Sequence, residues 1–99
     1  MKLVGIQGDV VIWQVDKIPS SAKKQLGNVL VEGESTGHAH RVDNADIYRD
    51  GDRLYLQPVM PTIIEHEEHG EIPLQPEISY EITRQKEYKN KDMTVLVTD

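Results

Sequence analysis

Turn signals punctuate this chain roughly every eight to twelve residues, and short β-branched runs lie between them. Val10-Val11-Ile12-Trp13-Gln14-Val15, Val29-Leu30-Val31-Glu32, Thr62-Ile63-Ile64-Glu65-His66 and Met93-Thr94-Val95-Leu96-Val97-Thr98 are such runs. Each is too short for an ordinary helix and rich in residues that suit a pleated surface. Arg49-Asp50-Gly51-Asp52 contains Asp-Gly, the strongest short-range hairpin signal, so Ala45–Tyr48 and Arg53–Leu56 should pair antiparallel. Alternation in the second of these puts Leu54 and Leu56 on one face.

The rest of the chain fits the same pattern. Gln7-Gly8-Asp9 reads as a turn into the first run, which should be a strand buried on both faces with Trp13 as a core or interface anchor. Pro19, with Ser20 or Ser21 as cap, permits one helical turn before Gln25, and an irregular loop fits as well. Ile72-Pro73-Leu74-Gln75-Pro76 is extended, and its prolines suit a sheet edge or a loop. Ile78, Tyr80 and Ile82 alternate with Ser79, Glu81 and Thr83, which predicts a strand to about Gln85. The expected fold is therefore all-β: one small domain spanning residues 1–99, with about seven short, mostly antiparallel strands in a sandwich or cupin-like barrel and little helix.

Composition narrows the function classes. Hydrophobic residues make up 37% of the 99 positions and phenylalanine is absent, so the core is thin, and a homo-oligomer that covers apolar surface is an expected partner state. The net charge of −6 lacks the basic footprint that nucleic acid or an anionic membrane would need. Lys23-Lys24 and Lys89-Asn90-Lys91 read as solvated loop positions. The absence of cysteine excludes disulfides, thiolate ligands and a cysteine nucleophile. No apolar run is long enough for a signal core or a membrane span, so a cytoplasmic protein is the expectation.

All four histidines fall in two segments, Gly37-His38-Ala39-His40-Arg41 and Glu65-His66-Glu67-Glu68-His69-Gly70. On a strand, His38 and His40 project from one face, roughly 6 to 7 Å apart at Cα, so their nitrogens can converge on one ion. His66 and His69 are spaced for a strand end followed by a turn. Neutral imidazoles beside carboxylates suit a divalent metal such as Zn, Fe, Mn, Ni or Cu. Four histidines, or three and a glutamate, would complete a shell, and a catalytic site would leave one position for water. Glu67 and Glu68 rank ahead of Glu65 as fourth ligand, imidazole-orienting partner or general base, because alternation sets Glu65 opposite His66.

Other features carry less. Gly33-Glu34-Ser35-Thr36-Gly37 has no lysine in the phosphate-loop position, and its hydroxyls read as a turn rather than part of a triad. Arg84 shares a face with Ile78, Tyr80 and Ile82 by parity; Arg84 or Arg41 could hold an anion, although exposed arginines usually do not.

Two resemblances follow from these segments. Gly33 and His38-Ala39-His40 resemble a shortened first cupin motif, which implies a small β-barrel holding a metal. The glycine is one residue closer than in that motif, and the second motif's Pro-x-Gly is absent. Gln7-Gly8-Asp9-Val10, Gly33 through Arg41, His66-Glu67-Glu68-His69 and Arg84-Gln85-Lys86-Glu87-Tyr88 together resemble a small family of uncharacterised bacterial and phage proteins. That resemblance implies one fold uniting the four segments and names no activity.

Two functions remain open at this point. One is a divalent-metal site on His38, His40, His66 and His69, serving as a metal-dependent enzyme for hydrolysis or isomerisation of a small polar substrate. The other is a non-enzymatic binding or assembly module, phage-related in setting, with a structural or pH-sensitive histidine cluster.

Overall fold

A computed structural model describes residues 1–32 and 39–84, with backbone only at 31 and 32. His38, the 33–37 loop, the Gln85–Tyr88 segment and the strand expected at Met93–Thr98 lie outside the described residues. Among the described residues ten strands follow one another: β1 Lys2–Gln7, β2 Val10–Val15, β3 Lys23–Gln25, β4 Val29–Glu32, β5 Ala39–Val42, β6 Ala45–Asp50, β7 Arg53–Pro58, β8 Thr62–Glu65, β9 Ile72–Leu74 and β10 Ser79–Arg84. There is no helix among the described residues, so none there is long and apolar enough to cross a membrane.

The strands form two antiparallel sheets, one ordered β1-β2-β10-β7-β6-β3 and the other β4-β5-β8-β9. The main apolar core among the described residues draws on both. Val10, Ile12, Ile47, Leu54, Leu56, Tyr80 and Ile82 come from the larger sheet, and Leu30, Val42, Ile64, Ile72 and Leu74 from the smaller. The all-β expectation holds in class, with more strands than the seven expected.

The strongest local signals fold as read. Asp50 pairs with Arg53 across Gly51–Asp52, and Gly51 takes the left-handed conformation (φ 62°) that such a turn demands. Leu54 and Leu56 both enter the core. Along β2, Val10 through Trp13 are buried on both faces of the sheet. Trp13 is an anchor in a second, smaller apolar cluster with Val11 and Ile6, and its indole N–H donates to Thr83 Oγ1 at 3.0 Å. The Ile72–Leu74 segment, with Pro73 at its centre, is an edge strand of the smaller sheet.

Two strands depart from expectation. β1 was not distinguished from the N-terminal lead into the turn. Its first three residues are exposed, so it carries little of the apolar alternation that marks a half-buried strand. β3 replaces the helical turn or loop. Lys23-Lys24-Gln25 has no apolar side chain, and only its ladder to Arg49, Tyr48 and Ile47 of β6 makes it a strand. The exposed lysines therefore sit on an edge strand rather than in a loop, a placement that discourages edge-to-edge pairing. Pro19 closes a hydrogen-bonded turn with Ala22 instead of opening a helix.

Candidate functional site

His40 lies on β5, a central strand of the smaller sheet, in the same inward-facing row as Val42. It is 1% exposed, which is unusual for a side chain with two polar nitrogens. Both nitrogens have partners, and both partners come from the β1–β2 hairpin. Nδ1 lies 2.8 Å from Gln7 Oε1, and Nε2 lies 3.1 Å from Asp9 Oδ1.

Gln7 decides the tautomer. Its Nε2 amide donates to Ile64 O at 2.9 Å and to Gly70 O at 2.8 Å. Two carbonyl acceptors fix which end of the amide is nitrogen, so Oε1 faces His40 as an acceptor and Nδ1 must carry a proton. Nε2 of a neutral His40 is then a lone pair directed at a carboxylate oxygen. Two acceptors share that 3.1 Å gap, and only a cation, a proton or a metal ion, makes the contact favourable.

The second histidine segment arrives from the bend between β8 and β9. The ring of His66 sits 4.4 Å from that of His40, centroid to centroid, and the ring of His69 sits 4.7 Å from His66. The two segments, distant in sequence, therefore meet. His66 Nδ1 accepts the backbone N–H of Glu68 at 3.1 Å, so a neutral His66 in this orientation carries its proton on Nε2. His69 packs on Gly8. A Cβ at Gly8 would lie 2.8 Å from His69 Cδ2, and Gly8 itself adopts φ 61°. The turn residue is thus glycine for two reasons, its left-handed backbone and the ring lying on it.

Burial is the main influence on His40, and it pushes the imidazole below its ordinary value. The hydrogen bond that a protonated His40 donates to Asp9 opposes that shift, while the neighbouring His66 and His69 rings add to it. The glutamates ranked as ligands have other contacts. Glu67 pairs with Arg41 at 3.2 Å, and Glu68 offers its backbone to His66. The carboxylate at the cluster is Asp9, which also takes Arg84 Nη1 at 3.4 Å.

Among the described residues, no group of three or more histidine, aspartate or glutamate side chains is placed to hold a metal ion as the side chains stand. His40, His66 and His69 come together; His38 lies outside the described residues. Gln7 and Asp9 were legible only as turn residues. One signal could have singled them out: Gln7 shares its strand register with core-facing Val10, so a polar amide there needs a buried partner.

Neither curated proteins nor solved structures yield a match, so the cupin resemblance gains no support from them. A family model described as a domain of unknown function (DUF8820) matches residues 6–85. That span opens just ahead of the Gln7-Gly8-Asp9 hairpin and takes in both histidine segments. The chain belongs to this family.

Proposed function

We propose that this protein binds a divalent transition metal at the cluster formed by His40, Asp9 and the neighbouring histidines. The observation that carries the proposal is the pairing of acceptors: Gln7 commits His40 Nδ1–H, and the Nε2 lone pair faces Asp9 Oδ1 across 3.1 Å. Ligands held on one ion at about 2.0 to 2.2 Å lie about 2.8 to 3.6 Å from each other, from octahedral to tetrahedral geometry, so the spacing suits a shared cation set off the N–O line. An oxygen acceptor on the far nitrogen is the usual way a protein orients a ligating imidazole.

His40 and Asp9 supply two donors in place. His38, His66 and His69 are the sources of the others. For His66 to ligate through Nε2, its Nδ1 must give up the Glu68 N–H and take a proton, which requires the ring to turn. Zn, Fe, Mn and Ni all accept such a nitrogen and oxygen set. A metal with one open position would polarise a carbonyl or activate water, which suits hydrolysis or isomerisation of a small polar substrate.

A second reading has its own support. The Glu68 N–H donates to His66 Nδ1 and so leaves the proton of a neutral His66 on Nε2, and no three-ligand group stands ready among the described residues. A proton between His40 and Asp9 would make the cluster a polar anchor in a non-enzymatic binding or assembly module.

Metal analysis of protein purified without an affinity tag separates the two. The metal reading expects about one ion per chain, lost in His40→Ala and sharply reduced in His38→Ala, His66→Ala and Asp9→Asn. Asp9→Asn is the decisive variant, because its amide can donate to His40 Nε2 and keep the fold while removing the anionic ligand. Wild-type protein that holds no stoichiometric metal after dialysis against each of the four ions would overturn the metal reading.

A further inference from the structure

Leu26 is 92% exposed, more than any other large apolar side chain among the described residues. It stands on the β3–β4 connection, where Gly27 turns the chain with φ 95°. Beside it opens a cavity of about 590 Å³ with buried Leu30, Leu54 and Ile82 in its wall. An apolar protrusion and an apolar recess therefore share one surface. At its exposure, Leu26 does not fill the recess of its own chain.

The rim carries opposite charges that do not meet. Arg49 on β6 and Asp52 in the β6–β7 turn both line the cavity. The Arg49 Nε–H donates to Gln25 Oε1 at 3.0 Å, which orients the guanidinium. Neither Arg49 nor Asp52 joins an ion pair among the described residues. Arg84, also at the rim, is already paired with Asp9. One cation and one carboxylate in search of partners leave the patch without net charge, so it favours neither an anionic nor a cationic ligand. The patch is instead complementary to itself, in charge and in shape.

We infer that this surface is a two-fold interface with a second copy of the chain, in which each Leu26 enters the other's apolar recess and each Arg49 pairs with the other's Asp52. A two-fold axis sets a patch against itself, so every such contact is made twice. The thin core of a 99-residue chain favours the same partner, since a second copy covers apolar surface. Strand addition is not the mode of contact, because the neighbouring edge strand β3 would bring exposed Lys23 and Lys24 of the two copies together.

Sedimentation velocity of the full, tag-free chain with chelator present tests the interface, over a concentration series reaching about 1 mM to capture a weak association. A monomer–dimer equilibrium is expected. Leu26→Asp, a change on an exposed side chain, should weaken the dimer at least about tenfold, or ~1.4 kcal/mol. Arg49→Asp and Asp52→Arg should each weaken it alone, because each sets like charges across the axis. An equimolar mixture of those two variants should associate again as a heterodimer, with both opposite-charge pairs restored in exchanged positions. A damaged fold cannot produce that recovery. A chain that stays monomeric throughout the series, a dimer indifferent to Leu26→Asp, or two charge variants that remain monomeric when mixed would each overturn the inference. Chelator excludes association through a bridging metal, so either result leaves the metal reading to its own test.

Discussion

Gln7 and His40 are joined by a 2.8 Å hydrogen bond between an edge strand of the larger sheet and a central strand of the smaller one. The same Gln7 side chain holds the carbonyls of Ile64 and Gly70, at either end of the segment that carries His66 and His69. One amide therefore sets the tautomer of one histidine and anchors the backbone that delivers two others. Gln7→Leu should leave His40 Nδ1–H and both carbonyls without this partner. Each of the three polar groups so stranded costs about 1–3 kcal/mol, so a total loss of at least about 3 kcal/mol is expected from urea unfolding. Gln7→Glu should cost at least as much, because a carboxylate would oppose the two carbonyls. A loss below about 1 kcal/mol for both variants would show that the network does not hold the sheets together.

How far the sequence anticipated this arrangement depends on the kind of signal each element carries. β2 and the β6–β7 hairpin were legible because local chemistry alone specifies them: a continuous β-branched run in one, an Asp-Gly turn in the other. β3 was not, since Lys23, Lys24 and Gln25 become a strand only through the edge of β6. The histidine segments were visible as a suspicious pattern, and their meeting is a matter of tertiary fold. Asp9 and Gln7 lie 31 and 33 positions before His40, so no local spacing could connect them to it. The roles of Glu67 and Glu68 were equally invisible, because strand parity cannot report that one turns to Arg41 and the other offers its backbone.

Gly8 and Gly51 make a matched pair for measuring the His69 contact. Both sit in hairpin turns at nearly the same φ, 61° and 62°. A Cβ at Gly51 would meet nothing within 4 Å, whereas one at Gly8 would lie 2.9 Å from His69 Nε2. Gly51→Ala should cost only the left-handed backbone, about 1–3 kcal/mol. Gly8→Ala should cost more and should shift the His69 ring resonances, because the ring has to move. Equal losses in thermal or urea unfolding, with His69 unmoved, would mean that the close approach has no energetic consequence.

Arg53 and Glu81 form a 2.6 Å ion pair in which the carboxylate side chain is 4% exposed and the guanidinium side chain 52%. Glu81 holds the Arg53 guanidinium above its ordinary value. Removing one partner from a fully buried pair costs about 3–5 kcal/mol, and the exposure of Arg53 discounts this toward about 1–3 kcal/mol. Arg53→Met should fall in that range, since it leaves Glu81 buried beside Trp13 and Tyr55 in its cross-strand positions. The double variant Arg53→Met with Glu81→Met should recover most of the loss, as replacement of a buried pair by apolar side chains often does. A double-mutant cycle with no coupling would show that the pair is energetically idle.

Tyr55 supplies an alkaline pH dependence with a definite sign. Burial chiefly, and then the nearby Glu81 carboxylate, push its phenol above the ordinary value of 10.0. In the unfolded chain the phenol ionises near that ordinary value, while in the folded chain it stays protonated to higher pH. The folded state therefore binds more protons in that interval, and stability falls as pH rises through it. The contribution is fully present below about pH 10 and is lost as the pH climbs through the folded-state value. Tyr55→Phe has no proton to lose, so its unfolding free energy should decline less steeply than the wild type's above pH 10. Every other ionisable group is common to the two proteins, so the difference between the two curves isolates Tyr55. Parallel alkaline unfolding curves for wild type and Tyr55→Phe would refute the assignment.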